Sequence, residues 1–192
     1  MATPLGHSLA GYAISTLADG APGQRSKSLS LLYVCMANAA DLDFLPGTLL
    51  GSPALYHQGV THSLGFALLA SLGVAGVCRP RGKPFATVVF WSSMAYLSHL
   101  VIDLLGPDAR PPHGIPLLWP ISGEHFISPW ALFLGVRHAA SGTASTLEWL
   151  EGIAHLYNLA AMALEVGLLL PFVLLGQRHR SKPRQATEPA GA

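Results

Sequence analysis

"FATVVFWSSMAYLSHLVIDLL", residues 85–105, decides the fold. As a helix this run is long enough to cross a bilayer, which takes about 20 predominantly apolar residues. His99 and Asp103 are its two conspicuous polar groups. Four residues apart, they share one helix face. An ionisable side chain inside an apolar span is costly unless it is paired, hydrated or bound to a metal. The pair reads either as a His–Asp hydrogen bond tying this helix to a neighbour or as two members of a ligand set.

Working outward, two more runs have spanning length: "VTHSLGFALLASLGVAGV", residues 60–77, and "IAHLYNLAAMALEVGLLLPFVLLG", residues 153–176. Two shorter apolar runs precede them, Leu5 to Ala18 and Leu29 to Ala40. They suit a helical hairpin that partly enters the bilayer, or tilted helices packed on the others. The chain has 192 residues, of which 51% are apolar and 11% charged; a soluble domain carries about a quarter charged residues. The expected architecture is an all-α, multi-spanning transmembrane bundle of about four or five helices over residues 1–176. A basic tail, residues 177–192, is expected to be disordered and cytoplasmic. The stretch "GPDARPPHGIPLLWPISGEHFISPW", residues 106–130, is rich in Pro and Gly and should form a structured, non-helical loop over the outer face. Phe126 to Val136 reads as interfacial, with Trp119 and Trp130 as headgroup-level anchors. Cys35 and Cys78 sit in apolar runs and read as small buried hydrophobes.

The net charge is +1, so nothing points to nucleic acid. Nine of the eleven basic residues fall in three groups: Arg25 with Lys27; Arg79, Arg81 and Lys83; and Arg178, Arg180, Lys182 and Arg184. The positive-inside tendency puts all three in the cytoplasm. The opposite helix ends then face outward, and there lie His7, Asp41, Asp43, His57, His62, His99 and Asp103. Lysine and arginine alone set this topology, yet it gathers these acids and imidazoles on one side.

Their types suggest a chemistry. Asp41 and Asp43 flank one residue and repel unless something positive sits beside them. His57 and His62 bracket the start of a span, where Thr61 or Ser63 can cap the helix. Mixed His and Asp ligation suits Zn2+ or another divalent transition metal, and the set is large enough for one or two ions. A remaining carboxylate or imidazole can act as general base or orient a ligand. Glu165 lies about twelve residues into the last span, too deep for the outer layer; it could pair with Asn158 or another deep polar group. His155 is the better outer-layer candidate of the two. His113, Glu124 and His125 read as solvated loop residues.

"PLGHSLAGYA", "DLDFLPG", "HQGVTHSLGF", "SHLVIDLL" and "HGIPLLWPIS", in this order, resemble the YdjM-type inner-membrane family of metal-dependent hydrolases, over roughly residues 3 to 130. The resemblance implies that His7, Asp41, Asp43, His57, His62, His99 and Asp103 hold the family's motif positions. It also implies a bacterial inner-membrane location. "HLVID" is more distantly similar to the His-x-x-x-Asp pair of zinc-dependent phospholipase C and the single-strand nucleases. The chain lacks their downstream His-x-x-x-Glu helix, which favours one or two ions over three. The expected function is hydrolysis of a phosphoester or similar bond in a lipid or amphiphile, with Asp43, His62 and Asp103 carrying catalysis. Membrane lipids are the expected partners. The rival expectation is a non-enzymatic metal or proton transporter or a stress-response membrane factor, favoured by a glutamate at mid-membrane.

Overall fold

The computed structural model describes residues 1–18, 26–51, 56–108, 111–137, 147–148, 151 and 155–181. Arg25, Lys182, Arg184 and the rest of the tail from 182 onward lie outside them. The described residues form six α-helices: α1 (Pro4–Ala18), α2 (Lys27–Ala37), α3 (Phe44–Leu49), α4 (Leu64–Cys78), α5 (Phe85–Leu104) and α6 (Leu156–Ser181). There is no strand among them, only an isolated bridge between Ile115 and Phe126. Three helical stretches are long and apolar enough to cross a membrane: Leu64–Arg81, Phe85–Leu104 and Leu156–His179. A fourth arises if α2 and the segment Ala39–Leu49, bent by 58° at Asn38, count as one broken span.

Several boundaries differ from the expected ones. α4 begins at Leu64, not Val60, because Ser63 is its N-cap, its Oγ accepting the Phe66 N–H at 3.2 Å. His62 therefore stands outside the helix. α6 starts at Leu156 and runs through the first basic residues to Ser181, so residues 177–181 are helical rather than disordered tail. Cys35 is exposed and Cys78 partly so; neither is the buried hydrophobe expected.

α5 is the axis of the bundle, packing against α1, α2 and α4, while α1 also packs on α2 and α6. α4 buries only Ala67, Ser71 and Ala75, one residue per turn. Its leucines 64, 68, 69 and 72 are exposed, as are Leu159, Leu170, Phe172, Leu174 and Leu175 of α6. In water such continuous apolar faces would drive association; in lipid they are the ordinary outer surface of a bundle whose interior is small and polar. Gly11 shows the small-residue contact: a Cβ there would stand 2.7 Å from that of Ala37 on α2.

Chain direction sorts the two ends. α1, α4 and α6 start where α2 and α5 finish. The Gln177 side chain of α6 reaches Tyr12 Oη of α1 at 3.4 Å, well along both helices, so α1 and α6 run parallel. Lys27 and the Arg79–Lys83 turn sit at one end of the bundle, together with Arg178 near the end of α6. The loop after α5 closes the other end, as expected. Leu117 and Trp119 carbonyls accept the N–H groups of Leu64 and Gly65 at the start of α4, and Leu104 and Leu105 carbonyls accept from Ser128, Leu132 and Phe133. The orphan groups of both helix termini are satisfied by one loop.

Candidate metal centre

At that closed end, α5 presents Tyr96, His99 and Asp103 on one buried face. The preceding sequence folds around it. α2 ends at Asn38, and the free carbonyl of Ala37 accepts the Nδ1–H of His99 at 2.9 Å. The chain then turns through a 3-10 segment, Ala39–Asp43, which carries Asp41 and Asp43 past the same point. After α3, the turn before α4 is pinned to α5 by Tyr96 Oη, which donates to the Thr61 carbonyl at 2.7 Å. That turn delivers His57 and His62. Gln58 sits within it at φ 63°, a left-handed conformation uncommon for a non-glycine residue, and its N–H donates to Asp43 Oδ2 at 3.1 Å.

Four atoms converge. His62 Nε2 and His99 Nε2 are 3.2 Å apart. Asp103 Oδ2 is 3.5 Å from the first and 3.3 Å from the second. Asp41 Oδ1 is 3.6 Å from each. Donors about 2.0–2.2 Å from a tetrahedral ion lie roughly 3.3–3.6 Å from one another. These five edges are those of an ion-sized tetrahedron.

The polar balance says the same. Five buried side-chain polar atoms lack a hydrogen-bond partner among the described residues: both ring nitrogens of His7, Asp41 Oδ1, Asp103 Oδ2 and, elsewhere on α5, Ser92 Oγ. Buried polar atoms are normally paired, and a divalent cation among Asp41, His62, His99 and Asp103 would satisfy both carboxylate oxygens. The imidazoles are prepared for it. The Ala37 carbonyl holds the proton of His99 on Nδ1. Asp43 Oδ2, 3.2 Å from His62 Nδ1, does so for His62. Each Nε2 lone pair is thereby aimed at the shared point, the usual carboxylate- or carbonyl-oriented metal histidine.

Asp43 and His57 form the next layer out, joined by a 2.9 Å hydrogen bond between Oδ1 and Nδ1. Asp43 Oδ2 also accepts from Thr61 Oγ1 at 2.8 Å. Asp43, His57 and His62 are themselves close enough to hold an ion, but both Asp43 oxygens already have protein donors. His57 stacks on Phe44, ring centroids 3.8 Å apart. Its burial, aided by the neighbouring His62, outweighs Asp43 and keeps its pKa below the ordinary imidazole range. Burial also disfavours the imidazolium of His62, yet the adjacent carboxylates of Asp41, Asp43 and Asp103 prevail and push it up to about 9.

His7 flanks the centre. Its ring stacks on His99 with centroids 3.8 Å apart and planes 18° off parallel, and its Nε2 is 3.5 Å from Asp103 Oδ1. All seven residues singled out from the sequence thus meet in one cluster. His155 does not join it; it is exposed and its Nδ1 accepts the Tyr157 N–H at 3.1 Å. Glu165 does not pair with Asn158, whose side chain bonds the Arg137 backbone; it reaches Thr3 instead. His113, Glu124 and His125 are exposed loop residues, as expected. Tyr96 and the Ala37 carbonyl were not singled out. Tyr96 lies three residues before His99 on the Asp103 face, a position the helical period does reveal.

No curated protein and no solved structure matches the chain. A family model described as YdjM inner membrane protein matches residues 1–178. That match covers nearly the whole chain, so the earlier resemblance, drawn over residues 3 to 130, extends to α6, and the chain belongs to the YdjM inner membrane protein family.

Proposed function

We propose that this protein is a membrane-embedded, metal-dependent hydrolase acting on a phosphoester or similar bond in a lipid or other amphiphile. One observation carries the reading: the tetrahedral set of Asp41, His62, His99 and Asp103, two of whose buried carboxylate oxygens have no hydrogen-bond donor among the described residues. A divalent ion bound there supplies a Lewis acid and an acidified water usable at neutral pH.

The chain's own residues do the rest. His62 and His99 offer neutral Nε2 donors, held in tautomer by Asp43 and the Ala37 carbonyl. Asp103 gives one oxygen to the cage and keeps the other toward His7 and the Ala2 N–H, 3.2 Å away. Asp41 is the one member of the four with solvent contact, its side chain 15% exposed, so substrate approach falls on its side. The turn and α3 that follow Asp41 in the chain expose Leu42, Leu45 and Leu49, and the covering loop exposes Leu118, Ile121 and Trp130. Exposed apolar side chains at this end of the bundle suit the headgroup boundary and an amphiphilic substrate. Zn2+ is the ion this N2O2 donor set favours. With the basic end in the cytoplasm, the site faces the periplasm.

The test is elemental analysis of the detergent-purified chain, followed by hydrolysis of a panel of phosphodiester and phospholipid substrates. The proposal expects about one zinc per chain, with His99→Ala and Asp103→Ala losing both metal and turnover. Metal-free wild-type protein that stays so after incubation with zinc would remove the basis of the reading. The transport reading leaned on Glu165 in mid-span; with both its oxygens engaged by Thr3, that residue supports a different role.

A further inference from the structure

We infer that Glu165 is a positioning residue of the metal centre, acting from a helix that supplies no donor to it. The inference rests on the metal reading above. Glu165 is buried on α6. Its Oε1 accepts the Thr3 N–H at 2.7 Å, and its Oε2 takes the Thr3 hydroxyl. Thr3 Oγ1 in turn accepts the Gly6 N–H at 3.3 Å, and the Thr3 carbonyl accepts the His7 N–H at 3.2 Å. One carboxylate therefore sets the first turn of α1, and His7 stands at the end of that turn. Gly6 is part of the arrangement: a Cβ there would be 2.7 Å from Glu165 Oε2, too close to coexist with it. The neighbouring Ala2 N–H goes to Asp103 Oδ1, so carboxylates from α5 and α6 together clamp the start of α1.

His7 needs that clamp. Neither of its ring nitrogens has a hydrogen-bond partner among the described residues, Asp103 Oδ1 standing 3.5 Å from Nε2, so no short directional bond of its own fixes the ring. The backbone and the stacking on His99 do. Through His7, the clamp limits where the His99 ring and Asp103 Oδ1 can sit, and these are two of the four ion-holding side chains. Partners one layer outside a metal typically change affinity by about 10–100-fold when removed. Glu165 acts through His7, so the lower end, about tenfold, is expected.

The experiment titrates the detergent-solubilised full chain with Co2+, reading affinity by competition and ligand geometry from the visible d–d spectrum. Glu165→Ala should weaken cobalt binding about tenfold and alter the spectrum. Gly6→Ala, which displaces the carboxylate without deleting it, should move both readouts the same way. Glu165→Gln should restore them, because the amide oxygen still accepts from Thr3 N–H and the amide N–H2 can donate to Thr3 Oγ1. Asn158→Ala removes another buried α6 side chain, one that bonds the Arg137 backbone and not Thr3, and should change neither. Wild-type spectra and affinities in both Glu165→Ala and Gly6→Ala would overturn this inference alone. So would an Asn158→Ala effect as large as theirs, which would make the role general support. A wild-type chain that binds no cobalt would overturn the metal centre itself.

Discussion

Two imidazole–carboxylate groups sit side by side and share His62, yet they differ in what is left over. In the inner group, Asp41, His62, His99 and Asp103 point four atoms at one shared point, and two of the oxygens have no hydrogen-bond donor among the described residues. In the outer group, the oxygens of Asp43 are already bonded to His57, Thr61, Gln58 and His62. The same residue types therefore do two jobs. Unpaired acceptors in a buried cluster ask for a cation; paired ones orient the residues that hold it.

Changes that separate the groups sharpen this contrast. The largest effect is expected for Asp103→Ala or His99→Ala, which delete an inner donor: zinc or cobalt affinity should fall by roughly a hundredfold or more. Equilibrium dialysis against buffered metal measures it, and retention of near wild-type affinity would erase the distinction. Proton competition comes next. Burial opposes the imidazolium of His62, but Asp41 and Asp43 raise its pKa to about 9. Without metal it thus holds a proton through the neutral range, and an ion can take Nε2 only by releasing it. Affinity should therefore rise with pH, about tenfold per unit between roughly pH 6 and 8, and level off above about pH 9. Isothermal titration in buffers of different ionisation enthalpy would count the released proton; an affinity flat across that range would contradict the assignment. Asp43→Ala, which frees the His62 ring without removing a donor, should cost about 10–100-fold while leaving one ion per chain.

The same contrast explains what could be read ahead of the structure. The set of seven is legible as one undivided layer because some of its parts obey local rules: His99 and Asp103 share a helix face, and Asp41 and Asp43 mark the end of an apolar run. Charge grouping placed them at one end of the bundle without any knowledge of contacts. The division of labour was not visible. Asp43 and Asp41 are two residues apart and look equivalent, and only the 3-10 turn between α2 and α3 sends one inward and the other toward His57. The sequence leaves the partner of Glu165 open between Asn158 and another deep polar group; the structure gives Thr3, 162 residues away. No periodicity encodes such a contact. The apolar run opens at Val60, but α4 starts at Leu64, behind Ser63, one of the two caps the sequence offers; hydropathy marks the run and cap chemistry sets its boundary.

The smallest expected effect falls on His57, and it tests the contrast most closely. His57, like His62, is buried and bonds Asp43, so residue type and burial class alone would rank them equally. Its ring lies flat against Phe44, a contact that phenylalanine can keep. Burial and the nearby His62 hold it neutral at pH 7, so His57→Phe removes no charge. The substitution removes the neutral hydrogen bond to Asp43 Oδ1 and the 2.8 Å contact of Nε2 with Met1 Sδ, which lies away from the ion-holding atoms, while Asp43 Oδ2 keeps Thr61, Gln58 and His62. A net contribution of this kind is about 1 kcal/mol or less, and only part of it reaches the ion through Asp43 and His62. Metal affinity should therefore drop by no more than about threefold, with stoichiometry unchanged. A loss as large as that of Asp43→Ala, together with a fall from two ions to one in elemental analysis, would show that the outer group holds an ion of its own. The two clusters would then be one dinuclear centre bridged by the His62 ring.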